Sequence, residues 1–194
     1  MARPSVAHLE IERRDFTAIR ETARRAVVNE LGGIADPKER LRRAAEIVGQ
    51  ADVQIAAVVH ERNACALSLA FYDGVRGIYQ AMGTAKNGFD EMRRLALGLD
   101  KKTGKLPQGE AAATAAQAAE VRRIPDAGQQ LPDLSEQVAV AEARRKAAVP
   151  FRQDACLVIS EEPYGWTSAQ IAELAGVTSN RVRDDLTIAR KRRS

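Results

Sequence analysis

Large aromatic rings are scarce in this chain. Four Phe, three Tyr and one Trp occur among 194 residues, so a core built around stacked rings is excluded and Ala, Leu and Val must do the packing. The abundance of Ala, Arg, Glu and Leu points the same way, to helices. Cysteine and histidine are equally sparse, with two of each. Cys65 and Cys156 have no Cys or His neighbour at metal-ligand spacing, and His8 and His60 are isolated, so neither a metal site nor a cofactor is expected. Both cysteines lie in Ala/Leu/Val-rich stretches and read as buried small hydrophobes. No run approaches the roughly 18 apolar residues of a membrane span. Residues 1–15 lack the apolar centre of a secretory signal. The expected location is the cytoplasm, in association with the nucleoid, with no membrane partner.

Enzymatic signatures are missing as well. There is no Walker loop, dinucleotide fingerprint, HExxH, CxxC or nucleophile elbow. Glu161 and Glu162 are adjacent, so on a helix they diverge and make a poor acid/base pair. No catalytic residue is expected, and the chain is not read as an enzyme.

What is present is charge and helical periodicity. The net charge is +4 with 29% charged residues, which permits contact with nucleic acid without establishing it. Phe16, Ile19, Ala23, Val27 and Leu31 form one helical stripe within residues 13–31, ended by Gly32-Gly33. Asp36-Pro37 reads as the cap and first turn of the next helix, with a break expected at Gly49. A long helix follows over about 52–72, then two shorter ones before Gly98. Residues 100–132 are rich in Pro, Gly and Ala and read as a linker holding one poorly anchored helix. A helix is expected from Leu134 toward Val149, kinked or restarted by Pro150, and another over 151–162. Nothing reads as a strand. The expected fold is all-α, with two helical modules at 1–99 and 133–194.

The C-terminal run Thr167–Ser194 carries the functional signal. Ala172 is small enough for a second helix to cross it, and Gly176 supplies a turn conformation that a Cβ would penalise. Val177 plugs the turn, and Thr178 or Ser179 is placed to cap the next helix. Ile171, Leu174, Val182 and Leu186 point to a small core. Through Ile171-Ala172, Ala175-Gly176-Val177-Thr178, Val182 and Leu186, the run resembles the helix-turn-helix of bacterial transcription regulators and of the last DNA-binding region of sigma factors.

That resemblance implies a recognition helix over about 178–192 in the major groove of double-stranded DNA. Thr178, Ser179, Asn180, Arg183, Asp184 and Thr187 would then face DNA, with Asn180 suited to adenine and Arg183 to guanine or a phosphate. Arg181 would lie near a phosphate strand at the edge of that face. Arg190, Lys191, Arg192 and Arg193 would clamp phosphates without regard to sequence. Asp184 and Asp185 are unwelcome on such a face unless one of them orients an arginine or accepts from cytosine.

A degenerate copy of the same unit is expected over about 75–97. Ile78, Gly83, Phe89 and Met92 stand where Ile171, Gly176, Val182 and the Asp185/Leu186 pair stand later. Tyr79 replaces the small Ala, and Gly88 weakens the second helix. Its outward face would carry Lys86, Asn87, Asp90, Glu91 and Arg94, nearly neutral, which favours packing or partner binding over DNA contact. The function expected is that of a transcriptional regulator. The alternatives are a DNA-architectural factor of phage, plasmid or recombination type, or a module docking on RNA polymerase or another protein. One helix-turn-helix reads about half an operator, so a homodimer or a second module is expected.

Overall fold

In the computed structural model the described residues, 11–194, form eight helices and no strand. The first ten residues of the module expected at 1–99, His8 among them, lie outside these residues. The helices are α1 (Phe16–Gly32), α2 (Pro37–Phe71), α3 (Ile78–Ala81), α4 (Lys86–Ala96), α5 (Glu110–Ala118), α6 (Ala127–Ser160), α7 (Ser168–Ala175) and α8 (Ser179–Arg193).

The all-α expectation holds, but two expected breaks do not occur. Gly49 sits inside α2, which runs unbroken for 35 residues. A helical glycine costs about 1 kcal/mol relative to alanine, and the burial of Ile47, Val48 and Ala51 around it offsets that cost. Pro150 likewise lies inside the 34-residue α6, so the helix is not restarted there. Its missing N–H is flanked by buried Ala147, Ala148, Arg152 and Ala155, so packing on both sides holds the helix through it.

The chain divides into two compact units that are not its two contiguous halves. Of the described residues, unit one comprises 11–16 together with Ala57–Val138, and unit two comprises Thr17–Ala56 and Ala139–Ser194. Each therefore takes part of α2 and part of α6, with α3, α4 and α5 in unit one and α1 (from Thr17), α7 and α8 in unit two. In unit two, the first half of α2 lies antiparallel to the second half of α6. Val27 and Leu31 of α1 join Ala44, Ile47, Val48, Ala147 and Ala148 in one cluster. Leu41 joins Cys156, Leu157 and Ile159 in a second cluster, which extends into α7 and α8. Arg145 binds Asp52 at 2.6 Å on the rim. Asp36 caps α2 as expected, accepting from the Lys38 and Glu39 amides.

In unit one the second half of α2 packs on the first turns of α6. Cys65, Ala66 and Leu69 meet Ile78, Met82, Phe89, Ala127 and Leu131. The stretch expected as a linker belongs to this core. Ala112 and Ala116 of α5 pack against Phe71. Ser68 Oγ accepts from the Ile124 amide at 2.9 Å, and the Tyr72 hydroxyl donates to the Val121 carbonyl at 2.6 Å. α6 starts at Ala127 rather than near 134, and Pro132 lies within it, held there by the burial of Ala127 and Leu131.

Candidate nucleic-acid interface

The α7–α8 pair is built by local signals that agree with one another. Thr167 caps α7 in a capping box: its hydroxyl accepts from the Gln170 amide, and the Gln170 side chain accepts from the Thr167 amide at 3.0 Å. Ile171, Ala172 and Ala175 are the buried face. At the other end Gly176 takes φ 64°, a left-handed conformation that disfavours any Cβ. Its amide donates to the Glu173 carbonyl at 3.3 Å and the Val177 amide to the Ala172 carbonyl at 3.1 Å, the paired bonds of a Schellman ending. Val177 packs on the unit-two core. Thr178 then caps α8, its hydroxyl accepting from the Arg181 amide at 3.2 Å.

The approach to α7 is fixed by residues that the sequence did not single out. Lys38, in the first turn of α2, places its ammonium 4.4 Å from the Trp166 ring centre and 5.3 Å from that of Tyr164. This cation–π contact ties the segment before α7 to the rest of unit two.

α8 has two unlike faces. Val182, Asp185, Leu186 and Ala189 are buried. At about 100° per residue, Asn180, Arg183, Asp184, Thr187 and Lys191 project on the opposite arc, with Arg190 at its edge, and all six are exposed. Arg183 Nη1 donates to Asn180 Oδ1 at 2.8 Å, so the two expected base-reading side chains already touch. Thr187 returns its hydroxyl to the Arg183 carbonyl at 2.9 Å. Arg190 and Lys191 make no ion pair among the described residues.

The remaining predicted residues lie elsewhere. Thr178 spends its hydroxyl on the cap, and Ser179 is half-buried beside it. Arg181 turns toward Asp185, with Nε 3.7 Å from Oδ1. Arg192 pairs with Asp154 at 2.8 Å and Arg193 with Glu161 at 3.0 Å, both acids of unit two. The four-residue basic clamp is thus split: Arg190 and Lys191 reach out, while Arg192 and Arg193 turn back to carboxylates.

Asp185 does not lie on the outer face at all. Its side chain is 1% exposed and grips Arg152, itself 3% exposed, through Nε–Oδ2 at 2.8 Å and Nη2–Oδ1 at 3.1 Å. The Gln153 amide adds a third bond at 3.3 Å. Cys156 lies in the same core, and burial first, then the Asp185 charge, pushes its thiol up to about 12. It is a protonated packing residue, not a nucleophile.

The pair expected as a degenerate copy consists of the four-residue α3, a turn at Gly83 and α4, and its surface differs from that of α7 and α8. Gly83 ends the α3 turn at φ 60°, and a Cβ there would stand 2.4 Å from Cγ of Phe16. The outward face expected on α4 is largely covered. Arg94 donates to the Gly104 and Lys101 carbonyls, Lys101 pairs with Glu91, and Arg93 lies against Asp90 and the rings of Phe71 and Phe89. Asp90, Glu91 and Arg94 are therefore not a free surface; of the expected face only Lys86 and Asn87 are exposed. Among the described residues no cluster of His, Cys, Asp and Glu is arranged to hold a metal, and no helix is long and apolar enough to cross a membrane. No protein-family model matches the chain, and neither a curated protein nor a solved structure matches it.

Proposed function

We propose that this protein binds double-stranded DNA in a sequence-dependent manner through α8 and acts as a transcriptional regulator. The observation that carries this reading is the two-faced character of α8. Its inner face is locked by Val182, Leu186, Ala189 and the Arg152–Asp185 pair, while Asn180, Arg183, Thr187, Arg190 and Lys191 project together from the outer one. A helix held so firmly from behind can enter a major groove without rearranging. Asn180 and Arg183 supply the amide and guanidinium that discriminate adenine and guanine, and Arg190 and Lys191 supply sequence-independent attraction to phosphates.

Withdrawal of Asp185 from the outer face removes a charge that would oppose a polyanion, leaving Asp184 as the only acid on that arc. Binding-site selection from random duplexes tests the proposal. The full chain should enrich a short motif, and Asn180→Ala should lose preference at one position while retaining the others. Enrichment of no motif by the wild-type chain would remove the sequence-reading part of the proposal.

A further inference from the structure

Unit one contains a cleft of about 580 Å³ that α8 does not touch. Its size falls in the range of small-molecule sites, about 300–1,000 Å³. The α2–α3 loop, the start of α4 and residues 107–109 form its walls, and buried Phe71 and Phe89 lie beneath. Three cations line it from separate positions: Arg76 on the loop, Lys86 at the first residue of α4, and Arg93 farther along α4. One carboxylate, Asp90, lines it with them.

Two of the three cations are unpaired among the described residues, and the third is only partly satisfied, by Asp90 and by the rings of Phe71 and Phe89. Arg76 and Lys86 are exposed and have no acidic partner among the described residues. Arg93 is half-buried. Its Nη1 reaches Asp90 only at 3.5 Å, and its Nε is buried with no acceptor. A guanidinium offers five donors in a rigid fork, and a buried donor left unmet is costly enough to be rare in folded proteins. Phe71 and Phe89 are 2% and 6% exposed and lie under the Arg93 guanidinium, which leaves half-buried Tyr79 as the one lining aromatic ring open to the cleft, against three cations. The cleft therefore favours a compact anion with several acceptor oxygens over a flat apolar molecule.

We infer that this cleft binds a phosphate-bearing small molecule. A single carboxylate has too few oxygens to engage three separate cations, whereas a terminal phosphate presents three acceptor oxygens and up to two charges. A duplex backbone is the other source of phosphate, but Arg93 is half-buried in a small-molecule-sized recess, and the face of α4 beside it is covered by residues 101–104. This inference is independent of DNA binding by α8.

Titration calorimetry of the full chain with inorganic phosphate and with pyrophosphate tests it. One saturable equivalent is expected for pyrophosphate, with phosphate weaker. Arg76→Gln and Lys86→Gln should each lower pyrophosphate affinity by about tenfold, the loss of one charge-assisted contact. Both positions are exposed, so the melting temperature without anion should stay at the wild-type value. Arg93→Lys should also weaken binding, because an ammonium cannot reproduce the fork. Lys191→Gln, on α8, should leave binding unchanged. Absence of saturable binding of either anion would overturn the assignment, as would binding that is lost with Lys191→Gln and kept with Arg76→Gln and Lys86→Gln. Displacement of pyrophosphate by a short DNA duplex would also overturn it, by assigning the cleft to backbone phosphates.

Discussion

Arg152 on α6 and Asp185 on α8 form a bidentate ion pair with almost no exposure to solvent, at 2.8 and 3.1 Å. A buried pair of this kind is held less by its net contribution to stability than by the penalty for breaking it. Removing one partner strands a charge. Asp185→Ala or Arg152→Ala should each cost about 3–5 kcal/mol in urea unfolding, while the double replacement Arg152→Met with Asp185→Leu should recover most of that loss. Single variants within about 1 kcal/mol of wild type would show that the pair does not fasten α8.

The two turn glycines should respond differently to alanine. Gly176 has open space where a Cβ would go, so its cost is the left-handed backbone alone, about 1–2 kcal/mol. Gly83 carries the same backbone cost and in addition drives a Cβ to 2.4 Å from the Phe16 ring. Gly83→Ala should therefore be clearly the more destabilising of the two in thermal melts. Equal losses would mean that Phe16 moves aside without cost.

A fragment limited to residues 133–194 should not unfold cooperatively. The unit that contains α7 and α8 also takes Leu41, Ala44, Ile47 and Val48 from α2, all buried. Without them the apolar side of α6 lies open to water, and each of Leu41, Ile47 and Val48 contributes about 1.5–3 kcal/mol when fully buried. A sharp two-state melt for 133–194, matched to that of the full chain, would contradict this.

The continuity of α2 through Gly49 and of α6 through Pro150, and the packing of residues 100–132 into a core, have no local signature in the sequence. Helix content was legible from Ala, Leu, Arg and Glu usage, and the α7–α8 pair from Ala172, Gly176 and Thr178, because caps and turns act within a few residues. Gly49 and Pro150 are local helix breakers, and burial of the residues around them outweighs a local cost of about 1–3 kcal/mol. Which half of α2 packs on which half of α6 has no local signature. Asp185 was within reach: it falls on the arc of Val182, Leu186 and Ala189, and an acid at such a position implies a buried partner. Arg152, far back on α6, carries no sign in its neighbourhood that it is that partner.

Alkaline pH should weaken the fold through Cys156. Its thiol ionises near 9 when unburied and is pushed up to about 12 in the folded chain by burial. Above pH 9 the unfolded state gains by ionising and the folded state does not, so this contribution to stability is intact below 9 and is lost as pH rises toward 12. The decline in stability between pH 9 and 11 should be shallower for Cys156→Ala than for wild type, and iodoacetamide should label the native thiol slowly at pH 8. Rapid native labelling of Cys156 would contradict its placement in the core.

DNA binding by the outer face of α8 is tested most directly by fluorescence anisotropy of the full chain on a labelled duplex over a salt series. The expected result is an affinity that falls steeply as salt rises, since each phosphate neutralised contributes about −0.9 to the slope of log K against log salt. Lys191→Ala should reduce that slope by about 1, and Arg183→Ala should cost about 1–3 kcal/mol on a preferred site. Arg192→Ala and Arg193→Ala, whose side chains turn back to Asp154 and Glu161, should change the slope less than Lys191→Ala. No measurable binding at low salt, or an affinity indifferent to salt and to Lys191, would contradict the account.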